Sequence, residues 1–423
     1  MISVVVLVLL TQWAPGPHNR HTRENRRLGE RSMTGLAAPF FEFANSSGAG
    51  MGTACSCAAV TGAKGEALTF TRASSATCTK GNPVTGIQNG DLVTCTNDQP
   101  RVGNPDGQGL ALLVEKASQN VALRSEEFDN ATWNKYGLGA AAPTVTADFA
   151  VGPFNATTAE RVQAAATLAG QSSLLYQTTA SISGTSTASV YVRGNTTSGT
   201  TDVCARNDAL TYTCAPCAFV ADSWTRCSST VVTTGSQILI GNATSFNGGT
   251  TRAANDLLVL GAQLEAGTYA TSYQPTGISA VTRVVEANSL PAVTGIASTG
   301  CAAATVIPLW SGTSGPANPL VVGSFGGRYL YLRTGTWETY DSANNLTVAS
   351  TWTYLTAARA VSTWTGSTFK IYNVTAGTSA TGTFDGAMPV PAFSIGSDVG
   401  GLGTVDGYVR GVMLDPSPTR CGP

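Results

Sequence analysis

The sequence predicts an all-β protein: two antiparallel β-sandwich (jelly-roll) domains in series after a small β-rich N-terminal module. Three observations carry that expectation. Thr, Ser, Ala, Gly and Val dominate the 423 residues and charged residues are only 12%, about half the ~25% of an average soluble chain; this composition suits strands and turns better than helices. Short apolar or alternating runs recur about every 8–12 residues with turn signals between them, the spacing of sandwiches and barrels. No long 3.6-residue periodicity competes, and the best helical stretch, EKASQNVALRSEEF from Glu115 to Phe128, is short.

Residues 1–32 form a leader. Met1–Leu10 (MISVVVLVLL) is apolar, too short for a membrane span of about 20 residues but long enough for a signal-peptide core of about 7–15. No positive charge precedes it, and Arg20, Arg23, Arg26, Arg27 and Arg31 follow it. An export signal, a start-site artefact with Met33 as the functional start, and a basic arm are the three readings. Residues 33–105 form the small β-rich module, with EALTFTRASSATC and GDLVTC as its strand-like runs. Residues 106–285 hold the first sandwich, carried by GLALLVEKA, ASVYVRG, TDVCARN, QILIGN and DLLVLGAQLEA. Residues 286–423 hold the second, through ATVIPLW, LVVGSF, RYLYLRT, TYLTAARA, FKIYNV, FSIGS and GYVRGVML. No later segment is long and apolar enough to be expected to span a membrane.

Charge and histidine content exclude several functions. A net charge of −1 and a pI near 6.1 argue against a nucleic-acid partner. The two histidines, His18 and His21, both lie in the leader, so the body lacks the imidazole of Ser-His-Asp and Cys-His catalysis and of His-ligated zinc. An enzyme would have to work through carboxylates or a bound metal with oxygen ligands. The densest acidic groups, Glu126, Glu127 and Asp129, then Glu338 and Asp341, lack the alternating E-x-D-x-E pattern that sets three carboxylates on one strand face, and read as solvated surface. The expectation is a non-enzymatic protein without an organic cofactor.

Ten cysteines, an even number, suggest disulfides formed in an oxidising setting. Cys78 and Cys95 flank a Gly/Asn-rich turn region and suit a cross-hairpin staple. Cys301 and Cys421 bracket the last domain and could tie its first and last strands together. Cys204, Cys214, Cys217 and Cys227 contain one CxxC, open to three readings: structural disulfides or buried thiols, a four-thiolate zinc site, or a redox pair. Cys55 and Cys57 complete the set.

Three runs, Leu68–Thr77 (LTFTRASSAT), Gly109–Trp133 (GLALLVEKASQNVALRSEEFDNATW) and Gly261–Arg283 (GAQLEAGTYATSYQPTGISAVTR), resemble a signature of bacteriophage tail-fibre, tail-spike and head-fibre-like structural proteins. The chain departs from it where Ser118-Gln119-Asn120 replaces the usual Arg-Thr-Asn. Phe393–Pro418 resembles the end of a laminin G-like domain. The resemblance implies a carbohydrate-binding-module-like jelly roll over 106–285 and a concanavalin A/laminin G-like sandwich over 286–423. It also implies a virion location, other virion proteins and a host-surface glycan as partners, and a homo-oligomer, commonly a trimer.

Sugar-binding sandwiches stack aromatic faces on pyranose rings while placed polar groups bond the hydroxyls. In RYLYLRT, leucines 330 and 332 facing the core would turn Tyr329, Tyr331 and Arg333 outward, with Trp337 and Tyr340 in the adjacent turn. These five residues are the expected ligand cluster; ordinary cross-strand aromatic pairing is the other reading. Asp398, Asp406 and Glu265 are candidate ligands for a structural calcium, or turn-forming acids. The function expected is a fibre or spike component presenting sandwich surfaces to host-surface glycan or protein. A carboxylate-based polysaccharide depolymerase and a secreted bacterial carbohydrate-binding adhesin are the alternatives. A disulfide framework predicts different mobility on reducing and non-reducing gels; identical migration with all thiols alkylatable in the native state removes it.

Overall fold

A computed structural model describes residues 69–422 apart from 80–87, 89–90, 109, 232, 291, 294, 314, 325–327, 390–391, 399–400 and 402. The leader, Cys55 and Cys57 lie outside the described residues. Every regular element described is a strand. The helical pattern at Glu115–Phe128 is overridden: Ser118–Asn120 is a short strand paired with Val281–Arg283, and the rest is turn. No helix of the described residues is long and apolar enough to cross a membrane.

The described strands build two sandwiches. In the first, one sheet orders Tyr212–Phe219, Gly199–Asn207, Gly235–Asn242, Ser172–Ile182 and Asn134–Leu138, and the other orders Thr225–Val231, Ser186–Gly194, Asn255–Ala266, Ala159–Ala164 and Thr144–Ala150. All their pairings are antiparallel. Alternate residues such as Leu175, Val190, Val203, Ile238, Ile240 and Val259 fill the space between the sheets. In the second, a seven-stranded sheet containing Thr299–Pro308 at its centre faces a five-stranded sheet containing Leu320–Gly323 and Arg328–Arg333. Trp310, Trp337, Trp352, Trp364 and Phe369 dominate that core.

The described part of the expected module at 33–105, from Thr69 onward, pairs with distant strands rather than only with itself. Arg101–Gly103 pairs with Ala111–Val114, and that strand continues onto Gly407–Asp415 with Leu113 opposite Tyr408. The expected boundary at 105/106 therefore lies between two bonded strands of the second sandwich's larger sheet. The physical reason is burial: all four residues of Ala111–Val114 are buried, and a strand covered on both faces belongs inside a layered sheet. Thr69–Thr71 likewise pairs with Ala287–Ser289, across the expected boundary at 285/286.

Among the described residues four disulfides staple this framework: Cys78–Cys95, Cys204–Cys214, Cys217–Cys227 and Cys301–Cys421. The hairpin pairing and the first-to-last-strand pairing expected from the sequence are both present. The four central cysteines form two disulfides, so the zinc and redox-pair readings do not hold. The Cys301–Cys421 bridge closes 120 residues, the longest loop of the four and the one that restricts the unfolded chain most.

The three signature runs converge on one buried ionic cluster. Arg101 donates from Nε and Nη2 to Glu286, from Nη2 to Glu115 and from Nη1 to Ser272 Oγ, at 2.5–2.6 Å. Arg72 donates to Glu286 at 2.8 Å and to the Thr96 and Gln99 carbonyls. Arg283 stands 3.5 Å from Glu115, but none of its guanidinium nitrogens makes a hydrogen bond. All five charged side chains are sealed from solvent. Burial pushes the Glu115 carboxyl up; the Arg283 and Arg101 charges and the Ser272 hydrogen bond outweigh it and hold the group below the usual carboxylate range. Nearby, Asn120 uses its whole amide: Nδ2 donates to the Ala262 and Gln274 carbonyls, and Oδ1 accepts from the Ala122 and Leu264 N–H groups.

Removing one partner of a buried pair leaves an uncompensated charge, whereas replacing an unbonded buried ion with an apolar side chain removes a desolvation cost. Glu286→Gln is therefore expected to destabilise the chain by about 3–5 kcal/mol, and Arg283→Met to stay within about 1 kcal/mol of the parent or stabilise it. Urea unfolding of both variants checks the contrast, and equal losses contradict it.

Candidate functional site

The aromatic cluster expected on the second sandwich is mostly interior. Tyr329, Leu330, Tyr331 and Leu332 are all buried, with exposures of 3% or less. Simple alternation fails because the pairing of Arg328–Arg333 with Thr336–Tyr340 shifts register between Arg328 and Tyr331, which sends neighbouring residues to the same side. Tyr329 stacks on Trp364 at 5.5 Å, and its hydroxyl donates to the Pro389 carbonyl. Tyr331 lies under the Arg328 guanidinium and donates to Asn345 Oδ1. Trp337 is fully buried against Trp352, their centroids 5.3 Å apart. None of these three rings has an open face for a sugar. Arg333 is exposed and Tyr340 half-buried.

The acidic residues beside them are not solvated either. Glu338 accepts from Thr336 Oγ1 and Asn345 Nδ2. Asp341 is buried and accepts the backbone N–H groups of Ala343, Asn344 and Asp385. Burial raises its pKa, and those hydrogen bonds outweigh it and hold the group low. Asp341 thus organises turns.

The calcium candidates are also buried. Glu265 accepts from Ser118 Oγ, Gln263 Nε2 and both the N–H and hydroxyl of Thr271. Asp406 accepts from the Lys116 N–H, Thr404 Oγ1 and the Tyr269 hydroxyl, and burial pushes its carboxyl up to about 6. Oxygens occupied by hydrogen-bond donors are poorly placed for a cation. Among the described residues no group of three or more His, Cys, Asp or Glu is placed to hold a metal ion.

An outward-facing aromatic platform lies instead on the first sandwich, and the sequence reading missed it. Strand alternation turns Leu175, Val203 and Ile240 into the core while Leu174, Cys204 and Leu239 face the other way. Over this buried apolar floor sit four half-buried rings, Tyr136, Tyr176, Tyr212 and Phe246. Tyr136 meets Tyr176 edge to face at 6.2 Å, and Tyr212 stacks on Phe246 at 4.1 Å. Cys204 and Cys214 stand directly opposite in register and their disulfide joins the floor. The Arg206 guanidinium lies 5.5 Å over Tyr212. At the side, Asp202 accepts from Arg252 at 2.6 Å, Asn247 at 3.0 Å and the Ala243 N–H. Rings on a rigid, disulfide-braced sheet with adjacent amide and charged groups can stack on a flat apolar face and bond its polar edge. The sequence signal was the pair of alternations Leu174-Leu175-Tyr176 and Tyr212-Thr213-Cys214, ambiguous because both faces of the sheet carry apolar residues.

No family model and no curated protein matches the chain. Among solved structures, the chain is similar to the N-terminal CBM22-1-CBM22-2 tandem domain from Paenibacillus barcinonensis Xyn10C, at 12% identity and a TM-score of 0.25, covering 71% of this chain and 98% of that one. It is similar to domains LG4-5 of the mouse laminin alpha1 chain, at 10% identity and 0.21, covering 60% and 85%. A truncated AlyQ with CBM32 and alginate lyase domains follows, at 10% identity and 0.17, covering 67% and 97%. Scores this low carry no argument about function.

The burial pattern makes a direct prediction. Trp337→Ala is expected to cost about 3–5 kcal/mol through the cavity it leaves, whereas Arg333→Ala, at the surface, should stay within about 0.5 kcal/mol. Thermal or urea unfolding separates them, and a mild Trp337 variant would place that ring outside the core.

Proposed function

We propose that this chain is a non-enzymatic, extracellular display protein that binds glycan through the aromatic platform of its first sandwich. One observation carries the reading: Tyr136, Tyr176, Tyr212 and Phe246 stand half-exposed on a rigid sheet with the Arg206 guanidinium beside them. Flat rings supply stacking area at little entropic cost, and the polar rim supplies hydrogen bonds. Four disulfides favour a protein that works in an oxidising compartment or outside the cell. A virion fibre or spike, assembled as a homo-oligomer with other virion proteins, is the form of display suggested by the signature runs. A secreted adhesin is the form suggested by the disulfides. Mass spectrometry of purified virions decides between the two. Repetition of a weak site across copies would supply grip by avidity.

The test is a glycan array followed by titration of the best hit. Tyr212→Ala is expected to lower affinity about tenfold, equivalent to about 1.4 kcal/mol, while the variant stays folded at the assay temperature and with no release of reducing ends by the parent. Unchanged binding in both Tyr212→Ala and Tyr176→Ala, or sugar release by the parent, overturns the proposal.

A further inference from the structure

A pocket of about 120 Å³ opens where the two sandwiches meet, apart from the aromatic platform. Tyr191 and Arg226 come from the first sandwich, Tyr354 and Tyr408 from the second, and the buried Arg101 and Tyr273 also line it, with apolar side chains such as Leu92 and Leu355 in the remaining wall. The volume is well below the ~300–1,000 Å³ of pockets for drug-sized ligands, so it suits one small ring and not a chain. Tyr354 is 55% exposed, whereas Tyr191 and Tyr408 are buried. Among the described residues neither the Tyr354 nor the Tyr408 hydroxyl makes a hydrogen bond within the protein.

Arg226 is the distinctive group. Its Nη1 donates to the Thr271 carbonyl and its Nη2 to Ser189 Oγ, both neutral acceptors. Its Nε is buried with no partner, and Arg226 makes no ion pair among the described residues. The guanidinium lies 5.3 Å over the Tyr191 ring; burial raises the pKa of the Tyr191 and Tyr354 hydroxyls, the Arg226 charge opposes that rise, and the buried Glu115 carboxylate, itself paired to Arg101, adds to it. Arg101, by contrast, is ion-paired to Glu115 and Glu286. Glu265, beyond Thr271, is satisfied by Ser118, Gln263 and Thr271. The pocket therefore offers a guanidinium lacking a carboxylate, flat rings and two unoccupied hydroxyls. A guanidinium fork matches a carboxylate in charge and geometry, while tyrosine faces and hydroxyls match the faces and edges of a polyhydroxylated ring.

We propose that this junction pocket binds a single carboxylate-bearing sugar unit of the uronate type, with its carboxylate on Arg226 and its ring against Tyr191, Tyr354 and Tyr408. The site is independent of the aromatic platform and stands whether or not that platform binds glycan. Because its walls come from both sandwiches, occupation would also brace one against the other.

Glucuronate and glucose, titrated into the full chain by calorimetry or ligand-observed magnetic resonance, test the proposal. Glucuronate is expected to bind at least tenfold tighter than glucose and to weaken with added salt. Arg226→Gln should lower glucuronate affinity tenfold or more and so remove the preference for glucuronate over glucose. Tyr354→Ala, at an exposed position, should lower it several-fold without loss of the fold, and keeps the test decisive if Arg226→Gln does not fold. Absence of glucuronate binding, equal affinity for the two sugars, or full affinity in folded Tyr354→Ala overturns the assignment.

Discussion

A buried ionic cluster constrains the whole chain, because Arg72, Arg101, Glu115 and Glu286 cannot move without leaving a partner charge uncompensated in the interior. Arg72, Arg101, Glu115, Arg283 and Glu286 come from segments more than 200 residues apart. Burying a charge is tolerated only when its partners are in place. The cluster can therefore form only when the strand at residues 69–71, the strand at 111–114 and the strands at 281–289 have all reached their final positions. This turns a sequence of loosely linked sandwiches into one interdependent body. It also explains why the signature runs contain buried Arg, Glu, Ser and Asn rather than exposed aromatics: they position the sandwiches relative to one another.

That constraint separates architecture from recognition. Apart from the Arg283 guanidinium, the groups that lock the chain together, including the fully bonded Asn120 and the Asp406–Tyr269 pair, have their donors and acceptors engaged within the protein. The groups that remain available lie elsewhere, on the aromatic sheet face and around Arg226. A rigid scaffold with satisfied interior polar groups can present such surfaces without a large ordering cost on binding. The Cys204–Cys214 disulfide extends the same logic to the platform, since it fixes two adjacent strands beneath the rings.

The second sandwich shows how much depends on a single register shift. With uninterrupted alternation, RYLYLRT would have displayed two tyrosines and an arginine. The irregularity between Arg328 and Tyr331 puts Tyr329 against Trp364 instead. Glu338 and Asp341 then take structural roles because their neighbours supply donors.

Composition and the short spacing of turn signals determined the all-β architecture, since they are local properties that β-branched and turn-forming residues express wherever they fall. Cysteine spacing determined the hairpin bridge and the bridge across the last domain for similar reasons of chain proximity and bracketing. The sheet assignment of Arg101–Gly103 and Ala111–Val114, the burial of Tyr329 and Trp337, and the two pairings among the central cysteines were decided only in three dimensions. Each depends on which distant strand lies alongside and in what register, and strand alternation specifies two faces without saying which one meets the core. The aromatic platform and the Arg226 pocket belong to the same class, because residues far apart in the chain become a surface only after both sandwiches have closed.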